Sequence, residues 1–116
     1  MGTMTDHTPI NIPWQDSGHR IYPGYSAKQN GKCSPDFCGA YTKITGEPCP
    51  GRMSIWRWRD GGRVVGPYRV VFPIQYDESA RPYTTRANIR LWWETIKRIE
   101  SQGHSRRTTE ERKAIR

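Results

Sequence analysis

Aliphatic side chains are scarce in this chain of 116 residues, where only 34% of positions are hydrophobic. That scarcity excludes a broad Leu/Ile/Val core, and a chain this short buries only a modest fraction of its surface. No apolar run approaches the roughly 20 residues that a membrane-spanning helix needs, so no membrane partner is expected. The opening Met1-Gly2-Thr3-Met4-Thr5-Asp6-His7 has neither the charged start nor the apolar stretch of a signal peptide, so secretion is not expected. There are 3 cysteines. An odd number cannot pair completely within one chain, and without an export signal reduced thiols or metal ligation are expected instead. Catalytic patterns are missing too. Gly61-Gly62 is not followed by Gly-Lys-Ser/Thr, so there is no phosphate loop. The histidines, His7, His19 and His104, fall in irregular or terminal stretches, a poor scaffold for preorganised chemistry. Neither paired carboxylates nor a Ser/His/Asp set is evident. The expectation is a protein that is not an enzyme and has no small-molecule substrate.

What the chain does have is positive charge and aromatic rings. The formal net charge is +8, with an isoelectric point of about 9.8. Such a surplus on a small body attracts nucleic acid or acidic protein surfaces. The 5 Trp, 6 Tyr and 2 Phe must supply much of the core, and each buried Trp needs a partner for its indole N–H.

Three parts are expected along the chain. Residues 1–31, interrupted by Pro9, Pro13, Gly18, Pro23, Gly24 and Gly31, read as an irregular N-terminal arm. Within it Trp14, Ile21, Tyr22 and Tyr25 are positioned to dock either on the protein's own core or on a partner. Residues 32–103 read as one small globular domain, and residues 104–116 as a charged tail. Inside the domain, residues 32–52 read as a loop rich in Gly, Pro and Cys. Residues 53–75 read as strands. There Ile55-Trp56-Arg57-Trp58-Arg59 alternates, and Asp60-Gly61-Gly62 supplies a hairpin turn. Residues 84–102 read as a helix. Ile89, Trp92, Trp93, Ile96 and Ile99 recur at helical spacing, with Thr84 or Thr85 as cap and Gly103 as stop. Trp92 and Trp93 lie about 100° apart on such a helix, so one belongs to the core and the other to a margin. The expected fold is α+β: a small twisted antiparallel sheet or hairpin packed by one C-terminal helix.

The cysteines are spaced Cys33-x4-Cys38-x10-Cys49. Three thiolates and one histidine would complete a tetrahedral structural zinc site, with His19 or His104 as the fourth ligand and Asp60 a weaker candidate. Zinc would staple a segment otherwise rich in Gly and Pro. The alternative is three free thiols and no metal. Cys38-Gly39-Ala40-Tyr41-Thr42, then Gly46-Glu47-Pro48-Cys49, then Gly61-Gly62 and Gly66-Pro67, resemble a family of small phage and bacterial zinc-binding proteins. That family reads Cys-Gly-Ala-x-Thr, Gly-x-Pro-Cys, Cys-x-x-His-Gly-Gly and Gly-Pro. The resemblance covers residues 38–67 and implies a phage-type origin, in a host cytoplasm or a virion. Arg57 and Asp60 stand where the family has its second cysteine and its histidine. Either the metal site is lost, or Cys33 and a distant histidine replace the missing ligands.

On a strand, Arg57 and Arg59 would share one face, with Trp56 and Trp58 on the other, packed in the core. Arg63 and Arg69 extend that face, and Arg86, Arg90, Lys97 and Arg98 lie on the helix. Two functions fit this distribution. One is a basic accessory protein that holds DNA or RNA through those side chains. The other is a protein-binding factor, either a virion component or a phage inhibitor docked on an acidic surface of a host complex.

Overall fold

The computed structural model describes residues 7–24 and 31–102. The fold is α+β, with eight elements in the order β1 (Thr8–Ile10), α1 (Pro35–Thr45), α2 (Arg52–Asp60), β2 (Arg63–Val65), β3 (Tyr68–Val70), β4 (Gln75–Tyr76), β5 (Pro82–Tyr83) and α3 (Arg86–Ser101). One sheet has the order β1-β3-β2, and β4 and β5 form a second, two-stranded ladder. The main sheet is mixed, not purely antiparallel. β2 runs antiparallel to β3, whereas β1 runs parallel to it. Among the described residues no helix is long and apolar enough to cross a membrane.

The C-terminal helix forms as its spacing requires. Thr85 is the N-cap, and its hydroxyl accepts from the Asn88 N–H. Ile89, Trp92, Ile96 and Ile99 form the buried stripe. Trp92 is fully buried and Trp93 sits at the margin. Gly103, the expected stop, and the tail with His104 lie outside the described residues, as does Tyr25.

Two segments differ from their sequence reading. The cysteine segment is not simply a loop, since eleven of its residues form α1. Its Pro and Gly are helix-end signals. Ser34 caps the start by accepting from the Phe37 N–H, and Pro35 occupies the first turn, where it has no hydrogen bond to lose. Gly46 closes the end at φ 77°, a left-handed conformation that glycine adopts without steric cost. Phe37, Ala40 and Tyr41, three and four residues apart, form its buried face.

The second difference is the Trp–Arg segment, which is the helix α2 and not a strand. Five alternating residues also satisfy a helix when the inward pair is buried Ile55 and half-buried Trp58, three apart. Ile55 is fully buried, and the Trp58 ring packs 5.5 Å from that of Trp92. Trp56 and Trp58 therefore do not share a face opposite Arg57 and Arg59. Asp60-Gly61-Gly62 ends this helix instead of turning a hairpin, with the Gly61 N–H donating to the Arg57 carbonyl at 2.8 Å. The hairpin turn lies one element later, at Gly66-Pro67 between β2 and β3, with Gly66 at φ 58°.

The core is aromatic, as the composition requires. Trp92 is its hub, with ring centroids of Phe72, Trp58, Tyr41 and Trp93 at 4.8, 5.5, 6.0 and 6.3 Å. Its indole N–H donates to the Val70 carbonyl at 3.3 Å, so burial leaves no orphan donor.

The described part of the N-terminal segment docks on this core and includes a strand. Beyond β1, the Gln15 N–H donates to Asn88 Oδ1 at 2.8 Å, and Asn88 Nδ2 returns a bond to the Gln15 carbonyl at 3.0 Å. Ile21 bridges to Thr84, and Trp14 and Tyr22 both pack on Tyr83, with centroids at 5.7 and 5.9 Å. These aromatics dock on the protein's own body.

Candidate nucleic-acid interface

The eight basic side chains singled out in the sequence divide into two groups. Arg63, Arg59 and Lys97 are occupied internally. Arg63 reaches from β2 into a cage of indoles, its guanidinium carbon 5.0, 5.7 and 5.8 Å from the ring centroids of Trp58, Trp92 and Trp93. Its two terminal nitrogens donate to the two carboxylate oxygens of Glu47, just past the end of α1, at 3.0 and 3.1 Å. Such a planar fork combines charge, geometry and ring contact in a way a lysine would not. The pair is largely enclosed, with side-chain exposures of 25% for Arg63 and 34% for Glu47. The Arg63 bond holds the Glu47 carboxyl below its usual range against the opposing effect of burial. Tyr41 also donates its hydroxyl to Glu47, at 3.1 Å.

Arg59 is held in a similar way at the surface. It lies 4.9 Å from the Trp56 ring centroid, donates to the Tyr76 hydroxyl and pairs with Asp60 at 2.9 Å. Lys97 pairs with Glu100 at 3.0 Å and lies 5.3 Å from the Trp93 ring centroid.

Arg57, Arg69, Arg86, Arg90 and Arg98 make no ion pair among the described residues. Arg57 and Arg69 line one open groove of about 580 Å³ between the end of α2 and the β2–β3 hairpin. Arg86 and Arg90 are exposed in the first half of α3, within about 40° of each other around its axis. Arg98 lies apart, on a groove beside Ile10, Tyr68 and Ile99. The expected basic face is thus not one strip. It is a two-arginine groove, a helix flank and an isolated arginine.

The thiols are brought together, but His19 is not with them. The bridge between Lys32 and Gly51 folds Cys33 back onto Cys49 and Pro50. The Cys33 and Cys49 thiols both donate to the Pro50 carbonyl, at 3.5 and 3.4 Å, and the Cys38 thiol to the Cys33 carbonyl at 3.7 Å. Burial pushes the Cys33 thiol up to about 11, and burial with the neighbouring thiols pushes Cys49 up as well. Both are therefore held as neutral donors. His19 is exposed, two residues before the bridge of Ile21 to Thr84. Among the described residues no group of three or more His, Cys, Asp or Glu is arranged to hold a metal ion.

Three supporting residues escaped the sequence reading. Glu47 carries no local sign that it will meet Arg63. Asp77, whose carboxylate accepts from the Ser79 and Arg81 N–H groups at 2.8 and 2.9 Å and from the Tyr22 hydroxyl at 2.9 Å, organises the β4–β5 loop against the N-terminal segment. Asn88 did leave a signal, as a polar residue next to Ile89 on the apolar side of α3, where a buried amide needs partners. No family model, no curated protein and no solved structure matches the chain.

Proposed function

We propose that this chain is a non-catalytic basic accessory protein that binds nucleic acid through arginines of α2, the β2–β3 hairpin and α3. The observation that carries the reading is the division of its cations. Glu47, Asp60, Asp77, Glu78 and Glu100 are taken up in ion pairs, while exposed Arg57, Arg86, Arg90 and Arg98 and half-buried Arg69 make none among the described residues. Guanidinium groups left open on an aromatic scaffold suit phosphate oxygens, which they meet in bidentate fashion. The phage-type pattern in residues 38–67 supports an accessory role during infection. A mobility-shift titration against DNA and RNA tests the reading. Affinity should fall steeply and linearly in log–log form as salt rises. Binding that is absent at low salt, or indifferent to salt, contradicts it.

A protein partner is the second reading, and Met53 favours it. This side chain at the start of α2 is 65% exposed and offers an adaptable apolar contact to a protein surface. A host or virion protein that co-purifies after nuclease treatment would shift the balance to this reading.

A further inference from the structure

Two arginines, an apolar wall and a glycine floor meet in the groove beside α2. Gly62 sits at φ 93°, and a Cβ there would stand 2.8 Å from both the carbonyl carbon and the Cβ of Arg69. The loop backbone therefore lies directly on β3, an approach and a positive φ that only glycine permits. A Cβ on Gly61 would be 4.0 Å from Arg69 Nη1. The Arg69 guanidinium thus reaches back across the turn toward the end of α2. Arg57 lies one helical turn before Gly61 and is tied to it by the bond from the Gly61 N–H to its carbonyl. The two arginines flank the same two glycines. Asp60 also lines the groove, and its carboxylate pairs with Arg59 at 2.9 Å.

Beside the arginines the lining is apolar. Val64 is 50% exposed, and half-buried Trp58 lines the groove beside it. The Trp58 ring is engaged by Trp92 and Arg63, so it supplies a fixed wall and not a free stacking face. Two other grooves contrast with this one. They measure about 200 and 350 Å³ and contain one arginine each, Arg59 and Arg98.

We propose that this groove binds one nucleotide unit of a single-stranded nucleic acid, with its phosphate between Arg57 and Arg69 and its base against Val64 and Trp58. The proposal rests on the nucleic-acid reading above and narrows it. A duplex offers its phosphates on ridges and keeps its bases stacked inside, so it leaves the apolar wall unused. An unpaired strand brings phosphate and base together into one concavity. DNA and RNA share that chemistry.

Fluorescence anisotropy with short labelled oligothymidine, oligouridine and a duplex of equal length tests the proposal on the full chain. Single strands should bind more tightly than duplex at equal salt, and the two oligonucleotides report whether the sugar matters. The double variant Arg57→Ala, Arg69→Ala should lose about tenfold in single-strand affinity, with its log–log salt slope shallower by about 0.7, the value for one single-strand phosphate. Val64→Ser removes the exposed apolar contact without adding charge and serves if the double variant misfolds. It should weaken single-strand binding and leave duplex binding near its original level. Preference for duplex, or unchanged single-strand binding by both variants, overturns the groove. If Arg86→Ala, Arg90→Ala then abolishes binding, the nucleic-acid reading survives without it. Failure of the unmodified chain to bind any of the three probes removes both.

Discussion

Arg63 and Arg69 sit on adjacent strands of one hairpin, one residue out of register, and meet opposite fates. Arg63 points into three indoles of α2 and α3 and a carboxylate from just past the end of α1, whereas Arg69 reaches back across a glycine turn and makes no ion pair among the described residues. Arg63 is part of how the protein holds together: its charge is matched, its fork is filled, and its stem fills space between aromatic rings. Arg69, half-buried against the Gly61-Gly62 turn, makes no ion pair among the described residues. Charge counted along the sequence treats the two alike. What separates them is whether the fold delivers a carboxylate from elsewhere in the chain.

The comparison can be broken at its most buried point first. Trp92→Ala removes the hub on which the cage rests and should destabilise the protein by about 3–5 kcal/mol in urea unfolding. Arg63→Ala leaves Glu47 largely enclosed without its partner and should cost about 2 kcal/mol. Glu47→Gln should cost less than Arg63→Ala, because it keeps acceptors and donors in place. An Arg63→Ala protein as stable as the original would mean that the cage is ornamental.

A smaller effect lies at Asp77. Its carboxyl is lowered from the usual 3.8 to about 2, chiefly by the backbone N–H of Arg81, with help from the Tyr22 hydroxyl. A carboxyl depressed in the folded state adds stability above its unfolded value, and that stability is lost as pH falls through the folded value. The melting temperature of the original chain should therefore exceed that of Asp77→Asn above about pH 4, and the gap should close toward pH 2. A gap that persists unchanged at the acid end would show that ionisation of Asp77 is not what ties the β4–β5 loop to Tyr22.

Much of α3 was legible in the sequence because one long period fixes a helix. A buried stripe from Ile89 to Ile99, a Thr85 cap and an outward Arg86–Arg90 flank are local features. α1 was obscured because Pro35 and Gly46 look like breakers in sequence, although their positions at the first turn and just past the last are where helices use them. α2 was obscured because five residues are too few to separate a period of 2 from one of 3.6, and Trp58 finds its partner thirty-four residues away. The same distance problem governs the candidate site. That arginines cluster in these segments was readable, but which were already taken depended on Glu47, Trp92 and Trp93. The convergence of Cys33 and Cys49 on the Pro50 carbonyl was likewise set by the Lys32–Gly51 bridge and not by cysteine spacing.

The most direct test of the division between held and open arginines is the salt slope of single-strand binding for Arg63→Gln and for Arg57→Ala, Arg69→Ala, each measured where circular dichroism shows the chain folded. The account predicts an unchanged slope for Arg63→Gln and one shallower by about 0.7 for the double variant. A slope that falls for Arg63→Gln, with none lost in the double variant, would contradict it.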